Sequence, residues 1–127
     1  MSEKGSGEVA TIWLAADRRV ASLMLYPETR AAVGRAARMG RLDVVQVSRA
    51  RRRTEALWGA IDRIDVTAAL ARRAGELAER HGLRAYDAVH LASLEQVADS
   101  ETVLVSTDED LVEAARASGF ATLRPGS

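Results

Sequence analysis

The sequence predicts an α/β domain with a central, largely parallel sheet, and three observations carry that reading. Helical and extended patterns alternate along the chain, as they do when each helix returns the chain to begin another parallel strand. The run Thr102-Val-Leu-Val-Ser106 is apolar without alternation, the pattern of a parallel strand covered on both faces. Residues 61–66, by contrast, set Ile and Val against Asp and Arg with the period of a strand.

Taken in order, residues 8–16 read as a helix and residues 19–23 as a short strand. Pro27 opens a helix that runs to about Met39, because an early helical position leaves its N–H without an intrahelical acceptor in any case. Gly40 stops it. Residues 43–60 form a second long helix, and the strand 61–66 follows. Thr67 is placed to cap a helix over 68–80, which closes on His81-Gly82, a basic residue and a glycine where a helix C-terminus favours both. A helix over 84–97, the strand 102–106, an amphipathic helix over 108–117, Gly119 and a last strand over 121–124 complete the pattern.

Composition narrows the function. The 127 residues are 47% hydrophobic and 28% charged, which suits one soluble globular domain and excludes a disordered chain. The 18 basic and 18 acidic residues cancel, so no overall field draws the chain to nucleic acid or to an anionic membrane, and any such binding must come from local patches. Without cysteine there are no disulfides, thiolate nucleophiles or thiolate zinc sites. The polar start Met1-Ser-Glu-Lys-Gly5 is no secretory signal, and uncharged runs such as 9–16 are too short to span a bilayer. A cytoplasmic protein is the expectation. There is no repeat and no low-complexity segment.

In open parallel sheets, sites form beyond the carboxyl ends of strands. Glu28 follows the strand 19–23 after a short turn, Asp108 follows the strand 102–106, and Asp87 joins them if its helix starts at the same edge. Two readings fit these acids. Each lies near a helix N-terminus, where a negative charge gains ~0.3–1 kcal/mol from the helix dipole. Ser106 to Glu109 and Thr107 to Asp110 both have capping-box spacing. The second reading starts from Asp87, whose helix offers Ala85, Ala88, Val89, Leu91, Ala92, Leu94 and Val97 and little polar face. An ionised carboxylate in apolar surroundings needs a partner. Converging carboxylates repel one another unless a divalent cation neutralises them, and an oxygen-only set suits Mg²⁺ or Mn²⁺ acting on phosphate esters.

Other features speak less specifically. His90 shares a helix face with Asp87 and reads as a core or supporting residue. Arg49-Ala-Arg-Arg-Arg53 is the one dense basic run, either a contact for an RNA backbone or a solvated helix face. Trp13 and Trp58 read as packing anchors, and Gly5-Ser-Gly7 follows no strand and so is no nucleotide loop.

Three segments acquire a meaning together. Leu25-Tyr-Pro-Glu28 before an Ala- and Arg-rich helix, Leu83-Arg-Ala-Tyr-Asp-Ala-Val-His-Leu-Ala92, and Val105-Ser-Thr-Asp-Glu-Asp-Leu111 resemble the second, third and fourth acidic motifs of the PIN-domain ribonucleases, in particular the toxins of VapBC-type toxin–antitoxin modules. The resemblance covers almost the whole chain. It implies a three-layer α/β/α sandwich with a central parallel sheet and an endoribonuclease in which Glu28, Asp87 and Asp108 bind Mg²⁺ or Mn²⁺. Asp110 would support them, and Thr107 would help to position water or phosphate. It also implies an RNA substrate, for which Arg49, Arg51, Arg52 and Arg53 of the basic run are the candidate contacts, a cognate antitoxin that blocks the acidic cleft, and a homodimer, and no membrane partner is expected.

The family's first motif, a strand ending in aspartate, has no counterpart after Met1, and Asp17 cannot replace it because it follows a helix. In the family's strand order, 3-2-1-4-5, that strand is central. Its absence would part 19–23 and 61–66 from 102–106 and 121–124, so the expectation is a single PIN-like domain over 1–127 whose native start lies upstream of Met1. The rival class is a catalytically inactive remnant that only binds an antitoxin or a dimer partner. A third reading is an α/β domain whose acids are all helix caps.

Overall fold

Alternating periodicity becomes alternating structure. A computed structural model describes residues 19–125. The predicted helix over 8–16, Asp17, Trp13 and the Gly5-Ser-Gly7 turn lie outside the described residues. The element order is β1 (Val20–Ser22), α1 (Leu25–Arg38), α2 (Val44–Gly59), β2 (Asp62–Ile64), α3 (Ala68–His81), α4 (Ala85–Val97), β3 (Val103–Val105), α5 (Glu109–Ala117) and β4 (Ala121–Leu123). Among the described residues the strands form two parallel pairs, β1 with β2 and β3 with β4. This α/β arrangement is the predicted class, and the pairing is that of the outer strands in the order 3-2-1-4-5. No helix among the described residues is long and apolar enough to cross a membrane.

The chain divides into two compact units, Arg18–Asp65 and one that contains Val66–Ser127. In the first, β1 and β2 pair in the register Val20↔Asp62, Ala21↔Arg63 and Ser22↔Ile64. The N–H of Leu23 extends the ladder by donating to the Ile64 carbonyl at 3.1 Å. Helix α1 starts at Leu25, earlier than the expected Pro27. The reason is that an N–H in the first turn has no intrahelical acceptor, so Pro27 fits inside that turn, and the N–H of Glu28 makes the first helical bond, to the Met24 carbonyl at 3.2 Å. Gly40, at φ 73°, takes the left-handed conformation that ends the helix. Asp43 caps α2 with a reciprocal box: its Oδ1 accepts from the Gln46 N–H at 2.8 Å, and its own N–H donates to Gln46 Oε1 at 2.9 Å. Helices α1 and α2 pack on each other.

In the second unit, Thr67 Oγ1 accepts from the Leu70 N–H at 3.1 Å and Gly82 closes α3 at φ 67°, both as expected. Helix α3 packs on α4, and the two are tied by Arg73, which donates from Nε and Nη2 to the two carboxylate oxygens of Glu95 at 2.7 and 2.8 Å. That bidentate bond holds the Glu95 carboxyl below its ordinary value, against a smaller opposing effect of burial. Leu77 and Leu91 are fully buried. Helix α5 packs on β3 and β4 through a face that buries Leu111, Val112, Ala114 and Ala115. The expectation that β3 is covered on both faces does not hold, since Val103 is 49% exposed and Leu104 and Val105 are half-buried. The cause is that β3 has a single partner strand among the described residues and the main helix packed on that pair is α5.

Candidate active site

The start of α4 puts a carboxylate where the apolar pattern says none should be. Arg84 stands in extended conformation at the N-cap position and its side chain makes no capping bond. Asp87 then falls in the first turn, where the positive end of the helix favours it, and is 5% exposed on a helix that also buries Ala88, Leu91, Ala92, Ser93 and Leu94. Asp87 is therefore a buried acid in the first turn, and the cap position itself belongs to Arg84.

Asp108 stands at the carboxyl end of β3. The ladder ends with the Ser106 N–H donating to the Leu123 carbonyl at 3.2 Å. The Ser106 hydroxyl then accepts from the Asp108 N–H at 3.0 Å, which turns the chain so that Asp108 caps α5 through Oδ1, accepting from the Leu111 N–H at 3.0 Å. The two capping boxes expected from Ser106 and Thr107 do not form. Three successive oxygen-bearing residues compete for the cap, and Ser106 is already engaged by the backbone of Asp108. Asp108 is half-buried, whereas Thr107 and Asp110 are exposed. The Thr107 carbonyl accepts from Arg124 Nε at 3.4 Å.

What links these acids is Arg84, a residue that sequence reasoning passed over. Its Nη1 donates to the Tyr86 hydroxyl at 3.1 Å. That bond first, and then the charges of Asp108 and Asp87, hold its guanidinium above its ordinary value. One cation thus feels both carboxylates, that of Asp87 in the first turn of α4 and that of Asp108 at the end of β3. The available signal was a basic residue directly before a helix whose first turn carries a buried acid.

Glu28 lies in the other unit, in the first turn of α1, whose cap position is Met24 without a side-chain bond. It is half-buried, with Oε1 shielded from solvent. Among the described residues, no three His, Cys, Asp or Glu side chains are gathered closely enough to hold a metal ion. The donors are nevertheless of the kind a hard cation takes, carboxylate oxygens only. Of the three acids, Asp108 is the one that stands at a cap position.

The remaining predicted residues are also placed. Arg49, Arg51, Arg52 and Arg53 are all exposed on α2, and Arg52 Nη1 donates to Ser48 Oγ at 3.3 Å. His90 is half-buried. Trp58 packs as expected of an anchor: its ring lies 5.6 Å from that of Tyr26, and the Arg63 guanidinium sits 5.2 Å from the ring centre, within cation–π range.

Comparison with known proteins bears on most of the chain. The family model of the PIN domain matches residues 2–117. Over 118 residues the sequence is 38% identical to Ribonuclease VapC45 of Mycobacterium tuberculosis (strain CDC 1551 / Oshkosh), a match that spans 93% of this chain and 82% of that protein. It is similar to the same extent, 38% over 118 residues, to Ribonuclease VapC49 of Mycobacterium tuberculosis (strain ATCC 25618 / H37Rv).

Proposed function

Since the chain belongs to the PIN-domain family, we propose that it is a divalent-metal-dependent endoribonuclease, the toxin of a toxin–antitoxin pair. The observation that carries the reading is the burial of Asp87 in the first turn of α4, and a second carboxylate, Asp108, stands at the carboxyl end of a parallel strand. Two relatives named ribonucleases supply the substrate class, RNA. Asp87, Asp108 and Glu28 are the residues that would hold Mg²⁺ or Mn²⁺. When bound, the ion supplies charge stabilisation at a phosphodiester and a more acidic water.

The chain's own groups have distinct tasks in this reading. Asp108 commits Oδ1 to the helix cap, which fixes its carboxylate and leaves Oδ2 as the ligand oxygen. Asp87 is held by the body of α4 with its charge out of bulk water, where electrostatic interactions are strongest. Arg84 offsets the repulsion between the two and, being exposed, presents N–H groups to a phosphate oxygen. Asp110 and Thr107 support the site from the first turn of α5 and the turn before it. A cognate antitoxin and a second copy of the chain complete the proposed assembly in the cytoplasm.

The test is RNA cleavage by the purified chain in Mg²⁺ or Mn²⁺ against excess chelator. Cleavage is expected with metal only, and Asp87→Asn is expected to lower it beyond the ~10–100-fold typical of residues that merely support a metal ligand, with the circular dichroism spectrum unchanged. Cleavage by Asp87→Asn at the original rate overturns the assignment. A second reading is an inactive PIN-like chain that acts only by binding. It predicts a tight complex with a small neighbour-encoded protein and no cleavage with or without metal.

A further inference from the structure

The neutral total hides a separation of charge. Residues 18–65 hold 11 of the 18 basic residues and 5 of the 18 acids, a net charge of +6, so the rest of the chain carries −6. Within the basic unit, α1 and α2 bound an open groove of about 490 Å³, a volume in the range of ligand clefts, ~300–1,000 Å³. Val33, Gly34 and Val47 line it, with Tyr26, Arg30 and Arg51. Arg30 is held in place: its Nη1 donates to the Tyr26 hydroxyl at 2.7 Å and pairs with Glu55 at 3.5 Å. Arg51 is exposed and makes no ion pair among the described residues.

Gly34 adds an independent observation. It sits in the interior of α1, where glycine weakens a helix relative to alanine, yet packing does not require it. The nearest atom a Cβ there would meet is Arg38 Nη1, at an ordinary 3.5 Å. Gly34 lines the groove with no side chain to occupy it.

We propose that the α1–α2 groove is a track for single-stranded RNA, in which Arg51 and Arg30 take backbone phosphates and the apolar lining takes a base. Arg49, Arg52 and Arg53 continue the positive surface along α2. Cations spaced along an apolar groove are complementary to a strand whose charges repeat at every nucleotide and whose bases present flat apolar faces. The inference rests on the ribonuclease reading and names where the substrate would be held outside the acidic site.

Binding is measured without cleavage, by fluorescence anisotropy of a labelled single-stranded oligoribonucleotide of mixed sequence with the full chain in chelator, over a salt series. Arg51→Gln is expected to weaken binding several-fold and to flatten the plot of log affinity against log salt by ~0.7 per lost phosphate contact. Gly34→Leu, which fills the groove without changing charge, is expected to weaken binding with the slope unchanged, and its fold is checked by circular dichroism alongside Gly34→Ala, the smaller version of the same change. Arg72→Gln, on α3 of the other unit, is expected to bind as the parent does. Parent-like binding by both Arg51→Gln and Gly34→Leu overturns the track even where RNA is still cleaved. A parent chain that neither binds nor cleaves RNA overturns the ribonuclease reading and the track together. Loss of poly-glutamate binding in these variants with RNA binding intact makes the groove a protein site and overturns the proposal.

Discussion

The two units of this chain put their residues to opposite uses. In 66–125 the helices bury apolar faces: α3 buries Leu70, Ala74 and Leu77, α5 buries Leu111, Val112, Ala114 and Ala115, and α4 is apolar nearly all round. In 18–65, α1 has no buried residue, α2 buries Thr54 alone, and Val44, Val45, Met39 and Leu57 are exposed. The first pattern makes a core that holds an acid such as Asp87 out of water. The second makes a basic surface with a groove in it.

The comparison breaks most visibly through the core. Leu91→Ala, at a fully buried position, is expected to cost about 2–5 kcal/mol. Val44→Ala, at a position 87% exposed, is expected to change stability by less than ~0.5 kcal/mol. Urea denaturation of both variants checks this, and comparable losses would mean that the exposed face of α2 is covered in solution.

A smaller effect sharpens the comparison through pH. Arg73 holds the Glu95 carboxyl below its ordinary value, so the folded state binds that proton less readily than the unfolded chain. The contribution is therefore present above the unfolded value, about 4.3 for Glu, and is lost as pH falls through the lower folded value. Glu95→Gln is expected to cost about 1 kcal/mol near neutral pH, since Arg73 is partly solvated. The difference from the parent should shrink below pH ~4.3, as followed by chemical denaturation at each pH. A difference that persists unchanged in acid would remove the ion pair as its cause.

Local signals account for most of what the sequence disclosed. Gly40, Thr67 and Gly82 punctuate the helices where expected, because caps depend on a few adjacent residues. Strand length was not legible: each strand forms a three-residue ladder, shorter than its extended pattern, because pairing depends on how far a partner runs alongside. The burial of Asp87 was legible from its apolar neighbours. Arg84 was not, since a charged residue at a helix start ordinarily looks solvated, and its relation to Asp108 depends on a fold that joins distant segments. The groove escaped for the same reason: Gly34 and Arg51 meet only when two helices pack, and a mid-helix glycine reads as a weak point.

The smallest expected stability effect separates two roles at one residue. Asp108 caps α5 through Oδ1, a role that asparagine fills about as well because its side-chain oxygen accepts the same bond. Asp108→Ala should therefore cost about 1 kcal/mol. Asp108→Asn should cost no more than a few tenths by the same capping scale, because the cap survives and only the charge is lost. If Asp108 is a cap and nothing else, Asp108→Asn cleaves RNA as the parent does. If it is also a metal ligand, Asp108→Asn keeps the parent's thermal midpoint but loses metal-stimulated cleavage, and the loss is greater than its stability cost explains. Thermal unfolding and cleavage of these two variants thus decide whether the carboxylate at the end of β3 belongs to the fold alone or to the acidic site as well.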